Sequence, residues 1–299
     1  MNIFLETPPD FSFEHTVNSH GWSDLLPFHF DEDKMILSYV FTGDISKNPV
    51  TVTIAGNDGK LMIETHDSDI EIEKLLRDVR HILRLDDDMT AFYGAISKEI
   101  SLAWVSRSNA GRLLRSPTVF EDLVKTLCTT NCSWGATKKM VTNLVEKLGR
   151  PATDGKKAFP SVEALANMPV EFFRDEIRAG YRSAYFVEMA ESIASGKLDP
   201  EAWLHSDMPT TELRKEIKTV KGFGDYAADN LLKLLGRYDG LALDSWLRAG
   251  FYKKHNREKP CPDKKIEKHY KKFGSWQGLA MWCDMTEKWF EEKSLKAKN

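Results

Sequence analysis

The residues of this chain best placed to do chemistry are Gly222, Gly224 and Asp244. The glycines fall in Val220-Lys-Gly-Phe-Gly-Asp-Tyr-Ala-Ala-Asp229, and the aspartate follows in Leu241-Ala-Leu-Asp-Ser-Trp246. Two glycines one residue apart let a backbone reverse within a few residues, because glycine accepts positive φ. A reversal between two helices turns the hairpin amides and the second helix's N-terminus outward together, and such N–H clusters bind a phosphate without reading its base. A carboxylate held beside a sugar can stabilise positive charge developing on that sugar and orient or deprotonate a water. The combination therefore fits a phosphate grip that sets a nucleic-acid strand next to a catalytic aspartate.

The flanking residues must supply the two helices. Leu213, Ile217 and Val220 form an apolar stripe at helical spacing, which predicts a first helix over 211–220 with Glu212 in its positive first turn. Asp225 is a candidate N-cap for a second helix burying Ala227, Ala228, Leu231, Leu232 and Leu235, with Gly236 ending it. Small alanines allow the two helices to approach closely. Gly222-x-Gly224-x-x-Ala227 also fits a dinucleotide-binding fingerprint, but that fingerprint follows a buried strand. Here the preceding segment is charged and helix-periodic. Asp244 could equally cap a helix starting at Ser245; the upstream hairpin tips the reading toward catalysis.

The rest of the chain supplies scaffolding. Met35–Phe41, Val50–Ile54 and Lys60–Thr65 carry the β-branched and aromatic residues of short strands, and Asn57-Asp-Gly59 is a hairpin turn between the last two. From Ile70 onward the apolar period is helical, with further helices over 119–129, 137–148, 162–166, 170–178 and 184–195. Pro117, Pro160, Pro169 and Pro209 stand at or before helix starts. The lysine-rich tail Lys293–Asn299 is expected to fray.

The 299 residues carry a net charge of −3, which at first argues against a polyanionic partner. The average hides an asymmetry: residues 1–100 hold 8 basic and 19 acidic groups, whereas residues 211–299 hold 20 basic and 13 acidic. An acidic front and a basic rear suit a protein that touches nucleic acid with one side. Lys253–Arg257 and Lys264–Lys272 are candidate tracks for backbone phosphates. No apolar run is long enough to span a bilayer, and the N-terminus lacks the basic and apolar blocks of a secretory signal. Cys128, Cys132, Cys261 and Cys283 are too sparse for a disulfide framework or a paired metal motif, so they read as reduced structural thiols.

Val220–Asp229 with Leu241–Trp246 resembles the helix-hairpin-helix (HhH-GPD) DNA glycosylases. Ser116–Leu123, Leu127–Trp134, Ala158–Ser161 and Ala179–Tyr185 are similar to the 3-methyladenine glycosylase II and 8-oxoguanine glycosylase branches. The resemblance implies an α+β, mostly α fold: a small antiparallel β domain at 1–88, then a helical lobe at 116–236 ending in the hairpin. A second lobe is formed by 89–115 with 237–299, and the active site lies in the cleft between the lobes. It implies Asp244 as the catalytic group. Lys221, Gly222, Phe223, Gly224, Asp225 and Tyr226 become the DNA-gripping hairpin, which can also hold a monovalent cation, and Asn131 and Arg182 become further DNA contacts. A flipped base needs a stacking surface, and Trp134, Tyr185, Trp246 and Trp282 are the candidates, with Tyr181, Tyr226 and Trp289 beside them.

Two departures from the pattern bear on mechanism. Members that nick the strand carry a lysine two residues after the second hairpin glycine; Tyr226 stands there, and Lys221 and Lys233 lie elsewhere in the pattern. The family's cysteine cluster is missing, so no iron–sulfur centre is expected. The expectation is a monomeric, monofunctional glycosylase acting on damaged double-stranded DNA, with no membrane or metal, in the cytoplasm or nucleoid, or in the nucleus of a eukaryote. Cationic alkylated purines of the 3-methyladenine type are the first choice of substrate, because they leave readily without a dedicated acid. Oxidised purine is the second, and a non-catalytic hairpin module is the alternative class.

Overall fold

Alternating apolar residues build the first unit of the molecule. In the computed structural model, which describes residues 1–57, 59–67 and 69–296, five antiparallel strands pair in the order β1-β5-β4-β3-β2. They are β1 (Asn2–Glu6), β2 (His29–Asp31), β3 (Ile36–Phe41), β4 (Val50–Asn57) and β5 (Lys60–Thr65). Val50, Val52 and Ile54 of β4 and Leu61 and Ile63 of β5 point to the buried face, the period of two that a half-covered sheet requires. The register sets Asn57 opposite Lys60 across the expected turn, whose Asp58 lies outside the described residues. Strands β1 and β2 were not foreseen. Each is short and sits at a sheet edge, where the pattern is weakest.

Helices then follow in close succession: α1 (Phe13–Val17, between β1 and β2), α2 (Ile72–Leu83), α3 (Thr90–Ile96), α4 (Ala103–Arg107), α5 (Val119–Thr129), α6 (Trp134–Leu148), α7 (Val162–Ala166) and α8 (Val170–Asp175). Next come α9 (Ser183–Ala194), α10 (Thr210–Ile217), α11 (Asp225–Leu234), α12 (Ser245–His255), α13 (Asp263–Tyr270) and α14 (Gln277–Lys296). Side-chain caps fix several starts: Thr118 accepts from Glu121 N, Ser133 from Ala136 N and Ser161 from Ala164 N. The Ser133 cap opens α6 at Trp134, three residues ahead of the expected start, and this places Trp134 on a helix. Helix α14 continues to Lys296, so residues 293–296 are helical where fraying was expected; the last three residues lie outside the described part.

Two cores result. The sheet and α2 share one continuous core with residues 114–235, and a second core is built from Met89–Leu113 with Tyr238–Cys283. Arg84, 1% exposed, bridges them. Its Nε donates to Leu113 O at 2.8 Å, one Nη donates to Lys233 O at 2.8 Å and to Leu234 O, and the other pairs with Asp87 at 2.7 Å. The guanidinium thus satisfies carbonyls at the end of α11, where a helix leaves its last acceptors unpaired.

Candidate active site

Helices α10 and α11 meet through a hairpin at residues 218–224. Gly222 has φ +92, and a Cβ there would lie 2.6 Å from Leu127 Cδ1 and 2.9 Å from Tyr185 Cδ2. Gly224 differs from expectation: its φ is −84, and a Cβ there would meet nothing within 4 Å. Glycine is needed at 222 for the turn and close packing, whereas at 224 it keeps the outer surface bare. Asp225 is also corrected. Gly224, not Asp225, is the N-cap of α11, and Asp225 lies in the first turn paired with Lys218 at 2.6 Å and Arg214 at 3.1 Å. The amides of Gly222, Gly224, Asp225 and Tyr226 find no acceptor among the described residues, so the N–H cluster is open to an anion. Lys221 pairs with Glu188 at 2.6 Å on the surface. Phe223 is 4% exposed and packs in the core, so its side chain is not a DNA contact; only its backbone is available.

Beside the hairpin lies a cavity of about 570 Å³. Asp244, Tyr226, Trp134, Trp246, Trp282 and Trp289 all line it. Asp244 caps α12: its Oδ1 accepts from Leu247 N at 2.7 Å, while no hydrogen bond reaches Oδ2 among the described residues. The capping and catalytic readings of this residue are thus compatible, one oxygen serving each. The ring of Trp246 lies 4.9 Å from Trp289 and 5.9 Å from Trp282, forming an indole wall. Trp282 is tied down by its Nε1 donating to Ser19 O at 2.8 Å, and Trp134 Nε1 donates to Asp24 Oδ2 at 3.3 Å. Tyr226 is half-buried; burial, then the nearby Asp244, raises its hydroxyl above the usual range.

Other expected site residues fall elsewhere. Tyr185 is not in the cavity wall; it backs the hairpin against Gly222 and meets Tyr181 edge-on at 5.9 Å. Arg182 is 5% exposed and cannot reach a phosphate as it stands. Its Nε donates to Thr130 Oγ1 at 3.0 Å and its guanidinium lies 4.5 Å from the centre of the Tyr181 ring. It supports the turn that carries Asn131 (φ 45), whose side-chain amide donates to Tyr181 Oη at 3.3 Å at the surface. Asn131 remains exposed, outside the cavity. The basic stretches are partly spent on the fold: Lys254 pairs with Asp284 and Glu287, both at 2.8 Å, and Lys272 with Glu99 at 2.6 Å.

Several cavity residues were missed. Asn18 and residues 20–24 of the β domain form one wall, including His20 and Trp22. Trp22 is anchored by its Nε1 donating to the buried Asp122 at 2.7 Å, and burial pushes the Asp122 carboxyl up to about 6. A Cβ on Gly21 would strike the Trp134 ring at 2.2 Å, so glycine lets the β domain close on that indole. Asn230 and Lys233 also line the cavity. They lie four and seven residues beyond Tyr226, on the same helical face, which is a signal the sequence did contain. Lys233 therefore does not lie away from the site as expected. It is 3% exposed, its Nζ donates to Leu241 O at 3.2 Å, and burial lowers its ammonium to about 8 against the opposing pull of Asp229 and Asp244.

With this geometry in view, the fold is similar to that of several solved DNA glycosylases. MBOgg1, solved with a low-affinity DNA ligand, superposes with a TM-score of 0.77 at 21% identity over 97% of this chain and 96% of its own. The apo 8-oxoguanine glycosylase/lyase of Clostridium acetobutylicum gives 0.75 at 19% identity, covering 95% of each chain. The 3-methyladenine DNA glycosylase of Archaeoglobus fulgidus gives 0.75 at 18% identity over 97% of this chain and 99% of its own. No protein-family model matches the sequence, and no curated protein sequence matches it. No helix among the described residues is long and apolar enough to cross a membrane.

Proposed function

We propose that this chain is a DNA glycosylase of base excision repair that hydrolyses the N-glycosidic bond of a damaged purine flipped out of duplex DNA. The observation that carries the reading is Asp244 in the wall of an aromatic cavity, its Oδ2 uncommitted among the described residues, near the Gly222, Gly224, Asp225 and Tyr226 amides, which find no acceptor among those residues. The hairpin grips a phosphate of the lesion strand, the base enters between the indoles, and Asp244 lies by the sugar. Cleavage builds positive charge on that sugar, which the carboxylate stabilises while it orients the attacking water. Flipping costs a few kcal/mol of lost stacking, offset in part by stacking on the tryptophans. The Lys221 and Phe223 carbonyls accept no hydrogen bond among the described residues, and neutral carbonyls are donors that suit a monovalent cation bridging to the phosphate.

The reaction is read as hydrolysis without strand cleavage, because Tyr226 occupies the hairpin-proximal position. The enzyme acts as a monomer, wherever the cell keeps its DNA. Tryptophan walls suit an alkylated purine, the first expectation. A second reading, an oxidised and uncharged purine, is favoured by Lys233, since an ammonium in the cavity repels a cationic base. A non-catalytic hairpin module is disfavoured, because binding gains nothing from a carboxylate held near phosphates. A panel of lesion-bearing duplexes, assayed with and without alkali to reveal abasic sites, tests the proposal; strand-independent binding with no excision of any lesion refutes it.

A further inference from the structure

Lys233 is left unused by the hairpin grip and by the chemistry of Asp244. Its ammonium has three donors, and one of them reaches Leu241 O; no other acceptor takes a hydrogen bond from it among the described residues. Its nitrogen lies 5.6 Å from the centre of the Trp282 ring, on the indole wall of the cavity. Keeping a charged amine in so dry a place is costly unless its donors are satisfied. The Arg84 clamp on the carbonyls of Lys233 and Leu234 holds this end of α11 in place, so the amine is positioned by the fold and not by solvent.

Breaking an N-glycosidic bond sends its electron pair onto the base. A cationic alkylated base accepts the pair and departs neutral. An uncharged base departs as an anion unless a proton or a positive group meets it. Asp244 serves only the sugar, so an uncharged base needs a second group on its own side. We infer that Lys233 is that group: the acid that meets the leaving base, making this a pocket for uncharged damaged bases with a hydrogen-bond acceptor on the inserted edge. The inference rests on the glycosylase reading and names its substrate class. As the C1′–N bond breaks, Lys233 passes a proton to the base acceptor and becomes a neutral amine. Water forms the new C1′–O bond and gives a proton to Asp244, and exchange with solvent restores both groups.

The groups around Lys233 leave its titration distinct. Its own helix offers Tyr226, raised by burial, and Asp229, tied to Arg214. The segment before α12 offers Asp244, α14 offers Cys283, whose thiol burial pushes up to about 12, and the β domain offers His20, which burial pushes down to about 4. Arg84, which caps the end of α2, is paired with Asp87.

Single-turnover excision from duplexes carrying 8-oxoguanine or hypoxanthine, against 7-methylguanine as the cationic lesion, tests this. Wild type is expected to favour an uncharged lesion, and Lys233→Gln to lower the uncharged-to-cationic rate ratio at least about 100-fold, the scale of general acid catalysis. A second readout needs no variant: the wild-type rate on the uncharged lesion falls as pH rises through about 8, and the 7-methylguanine rate does not. Lys233→Arg, which keeps the charge but not the easily lost proton, shifts that fall to higher pH. An unchanged ratio in Lys233→Gln, a pH limb common to both lesions, or a wild-type preference for 7-methylguanine overturns the assignment and leaves Asp244 standing. Excision of neither class by wild type overturns both.

Discussion

Asp244 and the Leu247 amide are joined by a 2.7 Å hydrogen bond through Oδ1, and the same residue lines the tryptophan-walled cavity. A helix cap is normally a device for stability, and here it also fixes the orientation of the candidate catalytic group. The two roles separate by substitution.

Asp244→Asn keeps an oxygen for the Leu247 amide and removes the charge. Excision is expected to fall at least a few hundredfold, the effect of losing a central electrostatic group, with duplex binding retained. Asp244→Ala should in addition lose about 1 kcal/mol of stability with the cap. Single-turnover kinetics, binding and thermal unfolding on the two variants check this, and near-normal excision by Asp244→Asn removes Asp244 from the chemistry.

The two hairpin glycines should respond in opposite ways. Gly222→Ala meets both positive φ and a Cβ collision with Leu127 and Tyr185, so a loss of about 1–3 kcal/mol is expected in denaturant titration. Gly224→Ala has ordinary φ and open space, so stability should hold. Its added methyl stands on the surface that the phosphate approaches, and duplex affinity should drop. Equal affinities for wild type and Gly224→Ala would move the phosphate grip elsewhere.

The products should need alkali to show strand breaks, and borohydride should trap no covalent protein–DNA adduct. Lys233 makes this a demanding test, because an amine with a lowered pKa does line the cavity. A trapped adduct that disappears in Lys233→Gln would convert the proposed hydrolase into a lyase.

Acid should weaken the fold through its histidines. Burial holds His20 down to about 4 and His81 down to about 2, so both stay neutral in the folded state while the unfolded chain protonates near the ordinary imidazole value of 6.5. The stability from these groups is present above pH 6.5 and is lost as pH falls from there, toward about 4 for His20 and about 2 for His81. Asp122, raised to about 6, works the other way below pH 6, gaining a proton in the folded state first. His81→Gln should therefore flatten the acid limb of a stability–pH curve; an unchanged slope would assign the limb to other groups.

Much of the fold was legible because local physics dominates there. The strands β3 to β5 follow from their β-branched and aromatic residues, and α5 and α7 match their expected spans, since a proline followed by a capping Thr118 or Ser161 defines each start. The hairpin and Asp244 were legible as a pair because glycine and a capping aspartate have few alternative uses at that spacing. The misplaced residues had no such local signature. Tyr185 and Arg182 carry the side chains of a binding site, yet the packing of the neighbouring loop turns one behind Gly222 and buries the other under Asn131.

By itself the sequence determined most of the elements, the turn at Gly222 and the helix start at Asp244, because propensity, capping and periodicity act over a few residues. Only the tertiary structure decided what the cavity contains. Asn18 and residues 20–24 are more than two hundred positions from α12 and α14 yet form the opposing wall, and Lys233 enters it because α11 packs with that face toward the indoles. Which side chain is dry, which donor stays unspent and which charge faces the base depend on contacts between distant segments, and no local pattern encodes those.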